Sequence, residues 1–193
     1  GSSDYSGALA AQLGLRFAFA HFINPRGGDV VTRAYRERFQ PSARESAPAA
    51  LVCVFVICAA DDAEAERLSA SIDLRRLHMA LGRDTPVATL AEAERHTYSD
   101  EERRYVLGQR ERAVIGGPET CRRALMALAE RYAADEVMAL PITGDYASRL
   151  RSYQLLAEDR TTVVKSSKES FCLVPTDAID LTLPAAELRP GNV

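Results

Sequence analysis

The apolar residues fall in blocks, and the blocks alternate in character. Gly7 to Leu13 is rich in helix formers and stops at Gly14, with Ser6 or Asp4 placed to cap it. Arg16 to Phe22 is short, aromatic and mostly apolar, which predicts a strand broken by Asn24-Pro25-Arg26-Gly27-Gly28. A helix follows from Asp29 to about Phe39, closed by Pro41. Residues 49–60 form the strongest strand signal in the chain. They are apolar without alternation, as in a strand buried on both faces of a parallel sheet. Asp61 and Asp62 open a long helix from Ala63 to about Leu81, their charge matching the macrodipole. Residues 83–113 read as a polar insertion of two charged helices (89–96 and 99–112) with little β signal. Pro118 then starts a helix to about Ala133, residues 136–142 form a strand, and a last helix ends near Asp159.

Strands alternating with helices predict an α/β fold with a parallel sheet, either doubly wound or part of a barrel; periodicity alone does not separate these. Residues 1–159 read as one domain. Residues 160–193 change character: three prolines punctuate them, no helical period is present, and one short strand is expected at 170–174.

Composition narrows the function. The chain has 193 residues, 47% hydrophobic and 26% charged, an ordinary globular balance that excludes disordered and fibrous classes. A net charge of −3 disfavours broad binding to nucleic acid or anionic membranes. No apolar run reaches the roughly 18–20 residues of a membrane span. The opening residues lack the basic and apolar regions of a signal peptide, so a cytoplasmic protein with reduced thiols is expected. The cysteines (Cys53, Cys58, Cys121, Cys172) form no CxxC and the histidines (His21, His78, His96) are scattered, so no metal site is expected.

Dinucleotide, Walker, GxSxG and HExxH motifs are absent. Ser2, Ser3 and Ser6 stand at the start of a helix, where hydroxyls, free amides and the helix dipole suit a phosphate. The competing readings are N-capping and the remnant of a cleaved tag. Gly116-Gly117-Pro118 suits a phosphate less than it suits a tight turn with proline at N1. His21 ends its strand, where α/β folds place their sites, and is the one candidate for a catalytic role. Arg26 in the next loop reads as solvated, and Asp145 as a helix cap. Glu64, Glu66, Arg67, Arg75 and Arg76 read as the wet side of a helix.

Several stretches carry a family resemblance when taken in order. They are Gly1-Ser2-Ser3-Asp4-Tyr5-Ser6, Leu9 to Leu15, Phe17 to Phe22, Ala63 to Leu68, Val114 to Glu119, and Arg149 to Leu156. Together they resemble the bacterial luciferase-like, flavin-dependent monooxygenases from residue 1 to about 158. The resemblance implies part of a (β/α)8 barrel, with strands six, seven and eight at 16–22, 49–60 and 136–142, and strand five ending just before Gly1. It implies reduced FMN as cofactor (the deazaflavin F420 being the other candidate), O2 and a small organic substrate, and a flavin reductase as supplier of electrons. It places the FMN phosphate on Ser2, Ser3 and Ser6. A half barrel leaves sheet edges open, so homo-oligomers or association through those edges are expected. A non-catalytic module that binds a phosphorylated ligand or dimerises is the alternative. Residues 165–190 faintly resemble bacterial lysyl oxidase-like copper proteins, but they contain no histidine, so no copper site carries over.

Overall fold

In a computed structural model of the protein, residues 1–158 are described. Helix α1 (Asp4–Gln12) precedes strand β1 (Phe17–Ala20), helix α2 (Gly28–Arg38) and the central strand β2 (Ala50–Cys58). An excursion follows: α3 (Asp62–Ala80), α4 (Leu90–Arg95), α5 (Asp100–Gln109) and a 3-10 turn (Arg110–Arg112). The chain then returns through β3 (Ala113–Gly116), α6 (Pro118–Tyr132), β4 (Glu136–Pro141) and α7 (Tyr146–Glu158). The fold is α/β, as expected.

All the strand pairings are parallel and all involve β2. Strand β1 pairs along Ala50–Cys53, β3 along Phe55–Cys58, and β4 along Leu51–Val56. The overlapping registers put β1 and β3 end to end on one edge of β2, with β4 on the other. Strand β3 begins at Ala113, the last residue of the stretch read as a polar insertion with little β signal, and continues past it. Its four residues, Ala-Val-Ile-Gly, are too short to show a period, and the free edge of β2 beyond β1 draws them into the sheet.

The two faces of the sheet are covered differently. Phe17, Phe19, Val52, Val54, Val56 and Cys58 face α2, α6 and α7, meeting Tyr35, Cys121, Leu125, Leu128, Tyr132 and Leu155 in the main core. Ile57 and Ile115 belong to a second cluster with Ala65, Leu68 and Ile72 of α3. Parallel crossovers are right-handed. The steps β1 to β2 and β3 to β4 run one way across the sheet and place α2 and α6 on one face. The step from β2 back to β3 runs the other way, which sends α3 to the opposite face. Both faces of β2 are therefore apolar, which accounts for its unbroken hydrophobic run.

Local chemistry sets the ends of the helices. Ser3, rather than Ser6 or Asp4, is the N-cap of α1, and it forms a reciprocal capping box with Ser6. Thr89 and Glu92 build the same box on α4, and Ser99 and Glu102 on α5. Residues 160–193, with the expected strand at 170–174, Cys172 and the copper-protein likeness, lie outside the described residues.

Candidate functional site

The carboxyl end of β1 meets the N-terminus of α1. The Gly1 amino group donates to the Ala18 carbonyl (2.7 Å), and the Ala20 amide donates to the Gly1 carbonyl (2.8 Å). Asn24 Nδ2, in the loop after β1, donates to the Ser2 carbonyl (3.2 Å). These bonds hold Ser2, Ser3 and Ser6 at the carboxyl rim of the sheet, where α/β folds bind their ligands.

The three hydroxyls are not equivalent. Ser6 Oγ donates its hydrogen to the Ser3 carbonyl at 2.7 Å and is committed to the helix. Ser3 Oγ accepts from the Ser6 amide at 3.4 Å, and its own hydrogen has only Ser6 Oγ at 3.3 Å, a weak bond it can exchange for a better acceptor. The Ser2 side chain makes no hydrogen bond within residues 1–158. A phosphate would thus find two hydroxyl donors, Ser2 and Ser3, on the positive end of α1. Asp4, at the first helical position, opposes it with one negative charge and turns a carboxylate oxygen to the Tyr5 amide.

His21 lies on the helix-covered side of β1 and is 5% exposed. Its Nε2 is 2.9 Å from the Glu111 carbonyl and its Nδ1 is 2.8 Å from Tyr132 Oη. A carbonyl only accepts, so Nε2 carries the proton and Nδ1 accepts from the tyrosine hydroxyl. Burial lowers the imidazole pKa below its ordinary value, which fits this neutral form. His21 also forms part of the wall of a cavity of about 660 Å³ with Arg26, Gly27, Glu111, Val114 and Arg131. Arg26 is paired with Glu111 at 3.3 Å on the surface.

The N-terminus of α6 is already occupied. Asp62 Oδ1 accepts from the Gly117 amide at 2.7 Å, and its Oδ2 accepts from Thr120 Oγ1 at 3.1 Å. Those bonds hold the Asp62 carboxyl below its usual pKa. An added Cβ on Gly116 would come within 2.9 Å of the same carboxylate, so the glycine is required by close approach. Gly116-Gly117-Pro118 is a capped turn here, with Asp62 standing where an anion would stand. Asp145 likewise caps α7, accepting from the Ser148 amide at 2.8 Å.

The charged residues of α3 are less solvated than their pattern suggests. Asp73 is buried and Arg76 has a side chain only 13% exposed. Arg110 spans the groove between the 3-10 turn and α3, binding Asp73 Oδ2 (2.6 Å), Ser69 Oγ (2.9 Å) and Glu66 Oε1 (2.7 Å). Arg112 reaches the carbonyls of Phe22 and Ile23 in the loop after β1. The excursion is thus tied to α3 at one point and to the β1 loop at another. Sequence reasoning missed this role of Arg110 because its partners lie 37 to 44 positions away. Among the described residues no group of His, Cys, Asp and Glu is placed to hold a metal ion. No helix there is long and apolar enough to cross a membrane.

No family model matches the chain. Individual proteins do. The uncharacterized protein YceB of Bacillus subtilis is 40% identical over 158 residues, which are 82% of this chain and 48% of that protein. A protein of Escherichia coli described as a luciferase-like monooxygenase is 32% identical over 155 residues, 80% of this chain and 46% of its own length. The crystal structure of apo-MsnO8 superposes with a TM-score of 0.74 at 33% identity, covering 82% of this chain and 48% of that one. The chain spans about half the length of the relatives it matches. Sequence and fold agree that this chain is similar, over about four fifths of its length, to the luciferase-like monooxygenases.

Proposed function

We propose that this chain supplies the phosphate end of a flavin site in a luciferase-like monooxygenase that oxidises a small organic substrate with O2. The observation that carries the reading is the hydroxyl-bearing N-terminus of α1, held at the carboxyl rim of the sheet by Gly1 and Asn24. The donor set fits FMN: a phosphate monoester is all acceptor, and Ser2 and Ser3 offer hydroxyl hydrogens beside the positive end of a helix. Ser6 supports the site by fixing Ser3 rather than by donating to the ligand. When bound, the flavin supplies the reaction with O2, and the protein's part is to hold and shield it. The family likeness supports this activity, and it belongs to a protein about twice as long as the matched region.

His21 is assigned a structural role. Both ring nitrogens are engaged, and the ring sits on the side of β1 turned toward the helices. It joins β1 to α6 and to the turn before β3.

Equilibrium dialysis of the full chain against FMN and riboflavin tests the reading, because riboflavin lacks the phosphate. FMN is expected to bind at least about tenfold more tightly, the value of one charge-assisted hydrogen bond. Ser2→Ala and Ser3→Gly should erase that preference; glycine at an N-cap costs only a few tenths of a kcal/mol, so α1 survives. Equal binding of the two flavins, or a preference for FMN that both variants leave intact, would refute the assignment.

A further inference from the structure

The 660 Å³ cavity beside His21 lies on the helix-covered side of the sheet, where β1 and β3 meet end to end and α2 starts beside α6. Its floor is apolar, built from Val54, Val114, Ala124 and Leu128. Arg26, in the loop after β1, and Arg131, in the last turn of α6, stand exposed at its mouth. The volume is that of a small-molecule site, and an apolar pocket with a few convergent polar groups is how such sites are built. The flavin reading makes no use of it.

The charges select the ligand. Arg26 is paired with Glu111 at 3.3 Å and Arg131 with Asp29 at 3.5 Å, both at the surface. Exposed pairs of this kind are weak, and a guanidinium carries five N–H donors, so one such partner does not saturate it. The Arg131 guanidinium also lies over the Tyr132 ring, 5.5 Å from its centre, and Tyr132 Oη bonds to His21. The buried imidazole therefore feels the local field. Burial is the largest cause of its lowered pKa, and the bond to the Glu111 carbonyl opposes it. The positive charges of Arg131 and Arg112 then lower it further, with the Glu111 carboxylate pulling the other way. Arg112 is held there by the carbonyls of Phe22 and Ile23. Arg26, Arg112 and Arg131 against Glu111 and Asp29 leave the region net positive. An anion is attracted to it and a cation repelled. A flat carboxylate fits the guanidinium fork through two parallel N–H bonds, and an apolar body behind it matches the floor.

We propose that this cavity is a second ligand site, for a small aromatic or aliphatic carboxylate, with Arg131 and Arg26 holding the anion and Val114, Ala124 and Leu128 meeting its body. The proposal rests on this cavity and not on the flavin reading, and each can fail without the other.

The test titrates the full chain with benzoate, and with benzamide as a neutral probe of the same shape, read by NMR of the histidine ring protons. Benzoate is expected to bind at least about tenfold more tightly than benzamide. Saturating benzoate should raise the His21 pKa by about half a pH unit, because a negative charge near the ring offsets the arginines. Arg131→Met keeps the stem and removes the fork, so benzoate should then bind no better than benzamide. Saturating FMN should leave benzoate binding unchanged. Equal binding of the two probes, no binding of either, an unmoved His21, or a benzoate preference that survives Arg131→Met would overturn the proposal. So would competition between FMN and benzoate, which would place the carboxylate at the hydroxyls of α1.

Discussion

Removing the Arg110 side-chain charge should unlatch the helical excursion at a cost that can be worked out from its partners. Arg110 is the main counter-charge of Asp73, a carboxylate whose side chain is 4% exposed. Arg76 stands 4.0 Å from Asp73 Oδ1 and makes no hydrogen bond to it; Asp73 Oδ1 and Arg76 Nη2 are both buried without a hydrogen-bond partner. In Arg110→Met the stem packing is kept and only the charge and donors go. Stranding a buried charge costs about 3–5 kcal/mol. Arg76 keeps part of the compensation, and the exposed Glu66 end of the fork adds at most about 1 kcal/mol. A loss near 3 kcal/mol is therefore expected, a fall in Tm of about 6–12 °C at this chain length. Asp73→Asn should cost a similar amount, and the double variant no more than either single, because the second change has no partner left to strand. Urea unfolding of the four proteins measures all three values. Single losses that add to within about 0.5 kcal/mol would show that the two groups are not coupled and would refute the latch.

Other positions give sharper local tests. His21 is held neutral by burial, with its pKa below the unfolded value of about 6.5. As pH falls below about 6.5 the unfolded chain takes a proton that the folded one refuses, so stability drops; above that pH the contribution is fully present. His21→Gln should flatten the slope of stability below about pH 6.5, and an unchanged slope would exclude the buried neutral ring. Gly28→Ala places a Cβ 2.2 Å from Phe19 Cε1 and 2.6 Å from Tyr132 Oη, so thermal unfolding should show a loss of about 1–3 kcal/mol. Ala133 ends α6 in the left-handed region at φ 47°, and Ala133→Gly should raise stability by about 1 kcal/mol in the same assay.

The hydrophobic pattern alone was enough to order the long elements and to show that β2 is buried on both sides, because each of those signals is local. Capping was legible as a class of residue but not as a position: Ser3, Asp4 and Ser6 are all competent, and the reciprocal bonds that choose Ser3 form only once the first turn closes. Strand β3 was hidden because four residues have no measurable period and its pairing energy comes from β2, more than fifty residues earlier. The candidate phosphate site could be proposed from hydroxyls before a helix, while its place at the carboxyl rim depends on bonds from Gly1 and Asn24 to the β1 region. His21 had the right position along its strand for chemistry, but which face it lands on is a matter of sheet parity and of what covers each face. Arg76 read as a wet charge, and the pairing of Asp73 with Arg110 left no signal, because a helical period does not reveal what is laid across the helix. The local code of propensity, caps and apolar period thus resides in the sequence. Partner choice for charges, the path of the return strand and the covering of each face of the sheet belong to tertiary structure, because they follow from contacts between residues the chain separates by dozens of positions.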